Sequence, residues 1–380
     1  MKILHCVHSL DCGGLQRQLS YLAPAQVKNG HKVYIAYLRG KFFVEKMALS
    51  GIKLHHIKNI STIHPKFRIG FSLLDPRVII QLKWLIKKIQ PDIIQTWFRE
   101  MDIPAGMMAT IYHIPWVLRE ANSYRKWPNT IFNLLRRYIG KKSNAIIANS
   151  QAGEKYWIMS KYLGYRRIIK NALPFDYINK SKNIFPDIGL SENEDYILYA
   201  GRINSRIKNM DTLISAIINI VSQTRIKAVI CGDGPYKPRI KKVVKKYHLE
   251  EKIILSDYLQ EDQLWNLMKK ARLFVSASKI EGCPNVILEA MACGCPIVLS
   301  DIPEHREFLD DSLAFFVDQN DPNAISAGIQ KALKSPKEAR KKAEMAKILA
   351  KNWQSVESMV KDYENVYKEI IAIKARKRAK

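Results

Sequence analysis

The sequence predicts an α/β protein made of two Rossmann-like domains, each built on a parallel sheet. Three observations lead there. A chain of 380 residues has the length of two domains rather than one. Each half carries the unit strand, turn, helix, strand. The stretch from Asp176 to Asp195, with Pro186, Gly189 and mixed charge, reads as a linker. The expected boundaries are 1–175 for the first domain, 190–352 for the second, and 353–380 for a final helix with a basic tail.

Composition narrows the class. Hydrophobic residues make up 47% of the chain, enough for full cores and against general disorder. Every apolar run is broken by charge before the ~18 residues of a membrane span. Met1 to Val7 reads as the start of a strand, without the apolar segment and cleavage site of a signal peptide, so the expected location is the cytoplasm. The six cysteines show neither C-x-x-C pairs nor a disulfide framework. A net charge of +27 calls for an anionic partner: nucleic acid, an acidic lipid surface or a phosphorylated substrate. Charge alone does not choose among them.

In the first half, Lys2 to Val7 is a strand running into the turn Cys12-Gly13-Gly14, followed by a helix to Lys28 and a second strand, Val33 to Leu38. The G-x-G-x-x-G dinucleotide spacing is absent. Pro91 to Thr96 and Ile114 to Leu118 are further strands. The second of these delivers Arg119, Glu120 and Asn122 at its C-terminal end, the edge where open α/β sheets bind ligands. From Trp127 to Lys142, aromatic and aliphatic residues alternate with Arg136, Arg137, Lys141 and Lys142 at helical spacing. That basic face is expected to meet an anionic membrane surface. Ile168 to Leu173 reads as the last strand of this half.

The second half opens with the strand Tyr196 to Ala200 and the turn Gly201-Arg202, then Lys208. Ala228 to Cys231 is a strand ending in Gly232-Asp233-Gly234, whose glycines permit close backbone approach to a base or phosphates. The stretch SKIEGCPNVILEAMACGCPIVLS, Ser278 to Ser300, concentrates the chemistry. Leu273 to Ala277 and Pro296 to Leu299 are strands around a buried helix that Gly294 ends. N–H groups around Cys283, Asn285 and Val286 at the helix start, with the dipole behind them, suit a phosphate. Glu281 lies before the helix and Glu289 two turns inside it, roughly 12 Å apart along the axis. Two carboxylates so spaced can accept hydrogen bonds from the hydroxyls of a long ligand, one from a ribose and one from a sugar.

EGCPNVILEAMACGCPIV resembles the signature of the family-4 glycosyltransferases, which have the GT-B fold. The resemblance implies two Rossmann-like domains facing across a cleft, with the C-terminal helix crossing back to the first. It implies a retaining enzyme that moves a sugar from a UDP- or GDP-sugar to an acceptor hydroxyl. Arg202 and Lys208 match the arginine and lysine that hold the donor diphosphate in the family, and with Glu281 they form the implied catalytic set. Glu289, Gly201, Gly232, Gly234, Tyr258, Cys283, Asn285 and Val286 are the implied donor-binding residues, Tyr258 standing beside the nucleobase. Gly13 and Gly14, with Arg119, Glu120 and Asn122, fall on the acceptor side. Many members carry a histidine near that last strand end; this chain has Arg-Glu-x-Asn instead.

No aspartates stand at D-x-D spacing, so the donor is expected to be held without a metal, and no cofactor beyond the nucleotide-sugar co-substrate is called for. The expected acceptor is a lipid-linked or envelope saccharide, as in lipopolysaccharide synthesis, met by a peripheral enzyme on the inner face of the cytoplasmic membrane. Two rivals are a GT-B-fold sugar-nucleotide epimerase, against which the glutamate signature argues, and a basic nucleic-acid binder, for which no helix-turn-helix, zinc-finger or RNP-like pattern exists.

Overall fold

A computed structural model describes residues 1–59, 75–128 and 130–378. The chain forms two compact units: Met1–Ala172 together with Gln354–Lys380, and Leu173–Trp353. Residues 379 and 380 of the basic tail lie outside the described part.

The first unit holds seven parallel strands: β1 (Lys2–Ser9), β2 (Lys32–Arg39), β3 (Lys53–His56), β4 (Ile93–Thr96), β5 (Trp116–Glu120), β6 (Ala145–Ala148) and β7 (Tyr165–Ile168). Their order is β3-β2-β1-β4-β5-β6-β7, which reverses direction at β1. β1 pairs with β2 from Lys2↔Lys32 and with β4 from Ile3↔Ile93. β4, β5 and β6 are buried along their whole length, as strands covered by helices on both faces must be.

The connecting helices follow local chemistry. Asp75 caps the helix Pro76–Ile89 by accepting from the Arg77 N–H, and Pro76 stands where its missing N–H costs nothing. Thr130 caps Ile131–Gly140, and Ser150 caps Gln151–Met159. On one sheet face, the helix Gly14–Lys28 and the final helix Val356–Arg378 share a core with β1 and β4. The final helix contributes Met359, Val360, Tyr363, Val366, Tyr367 and Ile370. The other face is covered by Pro76–Ile89, Arg99–Ile111 and Ile131–Gly140, around Leu82, Met101, Trp116 and Trp157.

The last strand of this unit differs from expectation. β7 is Tyr165–Ile168, not Ile168–Leu173. Its pairing with β6 ends at Ala148↔Ile168, with one further bond from the Ile169 N–H to Ala148 O. Beyond it the chain is held by side chains instead: Gln18 grips the backbone of Ala172 at both its N–H and its C=O.

The second unit holds six parallel strands: β8 (Tyr196–Ala200), β9 (Lys227–Cys231), β10 (Ile253–Ser256), β11 (Leu273–Ser276), β12 (Ile297–Ser300) and β13 (Phe315–Val317), in the order β10-β9-β8-β11-β12-β13. The sheet again reverses direction, here between β8 and β11, and both faces carry apolar cores. The expected linker begins as a short helix, Phe175–Asn179, whose Ile178 is fully buried in one of these cores. Among the described residues, no helix is long and apolar enough to cross a membrane.

Candidate functional site

In the second unit the loops at the C-terminal ends of the strands are bound to one another. After β8 the chain turns at Gly201, and after β9 at Gly232 and Gly234. The Gly201 N–H donates to Cys231 O at 3.0 Å and the Ile203 N–H to Asp233 O at 2.9 Å. The approach is so close that only glycine fits. A Cβ at Gly232 would lie 2.1 Å from Gly201 O, and one at Gly234 would lie 2.2 Å from Ile203 O. Both also have positive φ, +134° and +159°. Lys237 reinforces the turn. Its buried ammonium donates to Gly232 O (3.2 Å), Ser256 O (2.8 Å) and Asp257 Oδ1 (2.5 Å), the last of these next to half-buried Tyr258. The Lys237 partnership holds the Asp257 carboxyl below its ordinary range.

Asn204 caps the short helix Ser205–Lys208 by accepting from the N–H groups of Arg206 and Ile207. The helix ends in Lys208, whose ammonium meets Glu281 Oε1 at 2.5 Å. A backbone bond from the Lys279 N–H to Ile207 O (2.8 Å) fixes the two loops together. Burial would raise the Glu281 carboxyl, but Lys208, His305 and the Ser278 side chain together hold it below its usual value. Glu281 is therefore an anion matched to a cation. Arg202, by contrast, is exposed on the β8 turn.

The turn Glu281–Pro284 leads into the helix Asn285–Ala292, with half-buried Cys283, Asn285 and Val286 at its start. Glu289, inside the helix, is only 3% exposed, and its Oε2 accepts from Trp265 Nε1 at 3.3 Å. Direct contacts thus join the turns at Gly201, Gly232 and Gly234 to one another, and Lys208 to Glu281. Glu289 stands one helix further along.

In the first unit the residues expected on the acceptor side separate into two kinds. Gly13 ends the turn after β1, and Gly14 opens the helix Gly14–Lys28. A Cβ at Gly13 would meet the Gln16 amide at 2.4 Å, so the loop lies tight against its helix. Asn122, after β5, accepts from Lys126 Nζ at 2.6 Å.

Arg119 and Glu120 do not present themselves for a ligand; they are core residues. Arg119 is 1% exposed, donates to Asn171 Oδ1 at 2.6 Å, and lies over the rings of Trp97 and Tyr363. Glu120 is fully buried. Its carboxylate accepts from the Asn122 N–H (3.1 Å), Trp127 Nε1 (3.3 Å), Trp157 Nε1 (3.2 Å) and Arg136 Nη1 (2.8 Å). Four donors leave it no capacity for a substrate.

The same network corrects the expectation for Arg136. That residue is 1% exposed and faces inward. It binds Asp102 through Nε at 2.6 Å and stacks over Trp127 and Trp157. Its charge is spent on two buried carboxylates, so it offers nothing to a membrane. Arg137 is half-buried, and Lys141 and Lys142 are exposed beside Ile131, Leu134 and Tyr138, all of which reach solvent.

Two comparisons with protein families match this chain. The model for "Glycosyltransferase Family 4" covers residues 12–168, and that for "Glycosyl transferases group 1" covers 180–349. The chain belongs to the family-4 glycosyltransferases. These are enzymes of the hexosyltransferase type, and both parallel-sheet units are those of their GT-B fold.

Among curated relatives, the chain is 29% identical over 219 residues to the N-acetylgalactosamine-N,N'-diacetylbacillosaminyl-diphospho-undecaprenol 4-alpha-N-acetylgalactosaminyltransferase of Campylobacter jejuni, covering 57% of this chain and 58% of the relative. It is 25% identical over 228 residues to the O-antigen biosynthesis glycosyltransferase WclY of Escherichia coli, covering 59% and 61%. Family-4 sequence similarity therefore spans less than two thirds of these relatives. Among solved structures, HepE of Anabaena in complex with UDP and glucose superposes with a TM-score of 0.81 at 17% identity, over 97% of this chain and 100% of that one. Sucrose-phosphate synthase of Thermosynechococcus elongatus gives 0.82, also at 17% identity, over 98% and 100%.

Sequence reasoning missed Lys237, Trp265 and the core role of Glu120. Lys237 had a readable signal: a lysine five residues after Gly232, next to a turn that needs its carbonyls held. His305, buried near Glu281, was not singled out either.

Proposed function

We propose that the protein transfers a hexosyl group from a UDP- or GDP-sugar to a hydroxyl of a lipid-linked or envelope saccharide, with retention of anomeric configuration. The observation that carries this reading is the Lys208–Glu281 ion pair, set among the backbone turns at Gly201, Gly232 and Gly234. Residues 190–352 bind the donor. The diphosphate lies against Lys208, Arg202 and the N–H groups at Cys283, Asn285 and Val286. Charge grows on it as the glycosidic bond breaks, and fixed cations stabilise that change. Glu281 takes the sugar hydroxyls and Glu289 the ribose. Tyr258, on the loop that Lys237 secures, stands beside the base. The diphosphate is held by these groups without a divalent ion, so EDTA leaves turnover unchanged.

Residues 1–175 bind the acceptor, with Gly13, Gly14 and Asn122 nearest to it, and Arg119 and Glu120 supporting the Asn122 loop from below. Retention rests on the resemblance to the family. The acceptor class is supported by two relatives named for an undecaprenol-linked saccharide and for O-antigen synthesis. The epimerase and nucleic-acid readings are not favoured, since both family models that match are glycosyltransferase models.

The enzyme works on the inner face of the cytoplasmic membrane, held there by Arg137, Lys141 and Lys142 beside exposed Ile131, Leu134 and Tyr138. Each base near an anionic leaflet contributes ~1 kcal/mol, weakened by salt.

A calorimetric panel of UDP- and GDP-sugars tests the donor. Arg202→Ala with Lys208→Ala should lower both donor affinity and kcat, at a cost of ~2–4 kcal/mol per residue in the transition state. Wild-type turnover in that double variant would refute the assignment. Co-sedimentation with anionic and neutral liposomes, at low and high salt, tests the membrane surface. Binding indifferent to lipid charge would refute it.

A further inference from the structure

His305 has no part in the reading above, yet its setting is specific. It lies in the short helix Pro303–Arg306 after β12 and is fully buried. Its Nδ1 is 2.8 Å from Ser300 O. A carbonyl only accepts, so Nδ1 carries the proton and Nε2 of the neutral ring presents a lone pair. That Nε2 is buried and has no hydrogen-bond partner among the described residues. A buried polar atom without a partner costs free energy, so its presence asks for a use.

The ring belongs to the Glu281 cluster. Ser300 Oγ lies 3.3 Å from His305 Nδ1 and donates to Ser278 O at 2.6 Å, and the Ser278 side chain bonds Glu281. The charged groups acting on the ring are Glu281 from the loop before Asn285–Ala292, Lys208 from the end of Ser205–Lys208, and Glu304 beside it. Asp301 also interacts with it, but is committed with Asp311 to Arg306. Burial lowers the ring's affinity for a proton, Glu281 raises it, and Lys208 opposes Glu281. While Lys208 neutralises Glu281, the balance keeps the ring neutral.

Lys208 is asked to do two things. It pairs with Glu281, and on the nucleotide-sugar reading, on which this inference rests, it also meets the donor diphosphate. Turning toward the diphosphate weakens its pairing with a nearly buried carboxylate. An uncompensated buried charge is costly. We propose that His305 is a positioning residue that compensates Glu281 when the donor draws Lys208 away, taking a proton from solvent on Nε2. The proton adds to the existing lone pair, Nδ1 keeps its bond to Ser300 O, and the imidazolium becomes the counter-ion that holds Glu281 charged and in place for the sugar. Donor binding is thereby coupled to proton uptake.

The test is titration calorimetry with UDP-glucose, UDP-N-acetylgalactosamine and GDP-mannose in buffers of different ionisation enthalpy. These donors carry a diphosphate esterified at both ends, so they do not themselves titrate near neutrality. At about pH 6.5, the ordinary histidine value, wild-type protein should take up a substantial fraction of one proton per donor bound. Its Kd should fall as pH drops from 8 to 6, by up to about tenfold per pH unit. His305→Asn, whose amide can still donate to Ser300 O, should bind the donor with no uptake and a flat pH profile. Glu281→Gln, which removes the charge to be compensated, should also abolish the uptake. Donor binding by wild type without proton uptake would overturn the inference while leaving the nucleotide-sugar reading intact, and this needs no variant to fold. Uptake that persists in His305→Asn would overturn it too. Failure of every nucleotide sugar to bind would overturn the donor reading and the inference with it.

Discussion

Arg136→Met should unfold the first unit more easily without touching any membrane contact. In the wild type the guanidinium sits 1% exposed between Asp102 (2.6 Å) and Glu120 (2.8 Å) and lies 4.4 Å from the Trp127 ring centre and 5.3 Å from that of Trp157. Methionine fills much of the same volume but leaves two buried carboxyl groups without a cation. Breaking one side of a buried ion pair costs about 3–5 kcal/mol, a large part of a total stability of about 5–15 kcal/mol. For a unit of this size the melting temperature should fall by on the order of 10 °C.

The penalty should depend on pH with a definite sign. Burial already raises the Asp102 carboxyl in the wild type, with Arg136 pulling it back. Without Arg136 it rises further. A carboxyl whose folded pKa is raised penalises folding above that pKa, and the penalty vanishes below the unfolded value. The difference between variant and wild type should therefore shrink from pH 8 toward pH 4 in urea titrations. Lys141→Ser and Lys142→Ser, at exposed positions, should each stay within about 0.5 kcal/mol of wild type. If Arg136→Met cost under 1 kcal/mol, or lost binding to anionic liposomes with its fold intact, the buried-network reasoning would be wrong.

Three further outcomes follow from the same geometry. Gly232→Ala and Gly234→Ala should each cost more than the ~1–2 kcal/mol of a positive φ alone and should weaken donor binding, since the Cβ would strike Gly201 O or Ile203 O. Gly30→Ala, where φ is +83° but no atom lies within 4 Å, is the control, and equal costs by chemical denaturation would refute the close-approach argument. Glu289→Gln keeps an acceptor for Trp265 Nε1 and should leave the melting temperature nearly unchanged while raising donor Kd; unchanged affinity in calorimetry would remove Glu289 from the ribose. His5, buried against Gln26 and Trp97, has its pKa lowered to about 4 from 6.5. Its neutral form gives stability that is complete above pH 6.5 and is lost as pH falls toward 4, about 3 kcal/mol in all. His5→Gln should flatten the stability profile in that window, and an unchanged slope would contradict the assignment.

Much of the fold was legible because its rules are local. Short apolar runs such as Ala145–Ala148 and residues 297–299 suit strands covered on both sides, and glycine pairs mark where such strands must turn. That Glu281 precedes one helix and Glu289 lies inside it was legible from the spacing of the signature; that Lys208 pairs with Glu281 was not. The end of the first unit was not. Residues 169–172 carry the chain on past β7, but the sheet edge gives them a partner for only one more bond, and Gln18 from the helix Gly14–Lys28 takes over.

The charged residues of the first unit show where a sequence pattern stops deciding. Arg136 and Arg137 are neighbours in one basic series, yet successive side chains on a helix point about 100° apart. The two therefore cannot share one environment, and one of them can enter the core while the other stays outside. Which one depends on whether the core holds anions to receive it, and those anions, Asp102 and Glu120, come from another helix and from a strand end. A strand-end carboxylate reads equally well as a ligand site or as a buried anchor until its donors are counted. With Arg136, two indoles and the Asn122 N–H already on it, Glu120 is an anchor for the loop that carries Asn122. The net charge of +27 was therefore a poor guide to which bases face a partner, because a cation in the core counts the same as one on the surface.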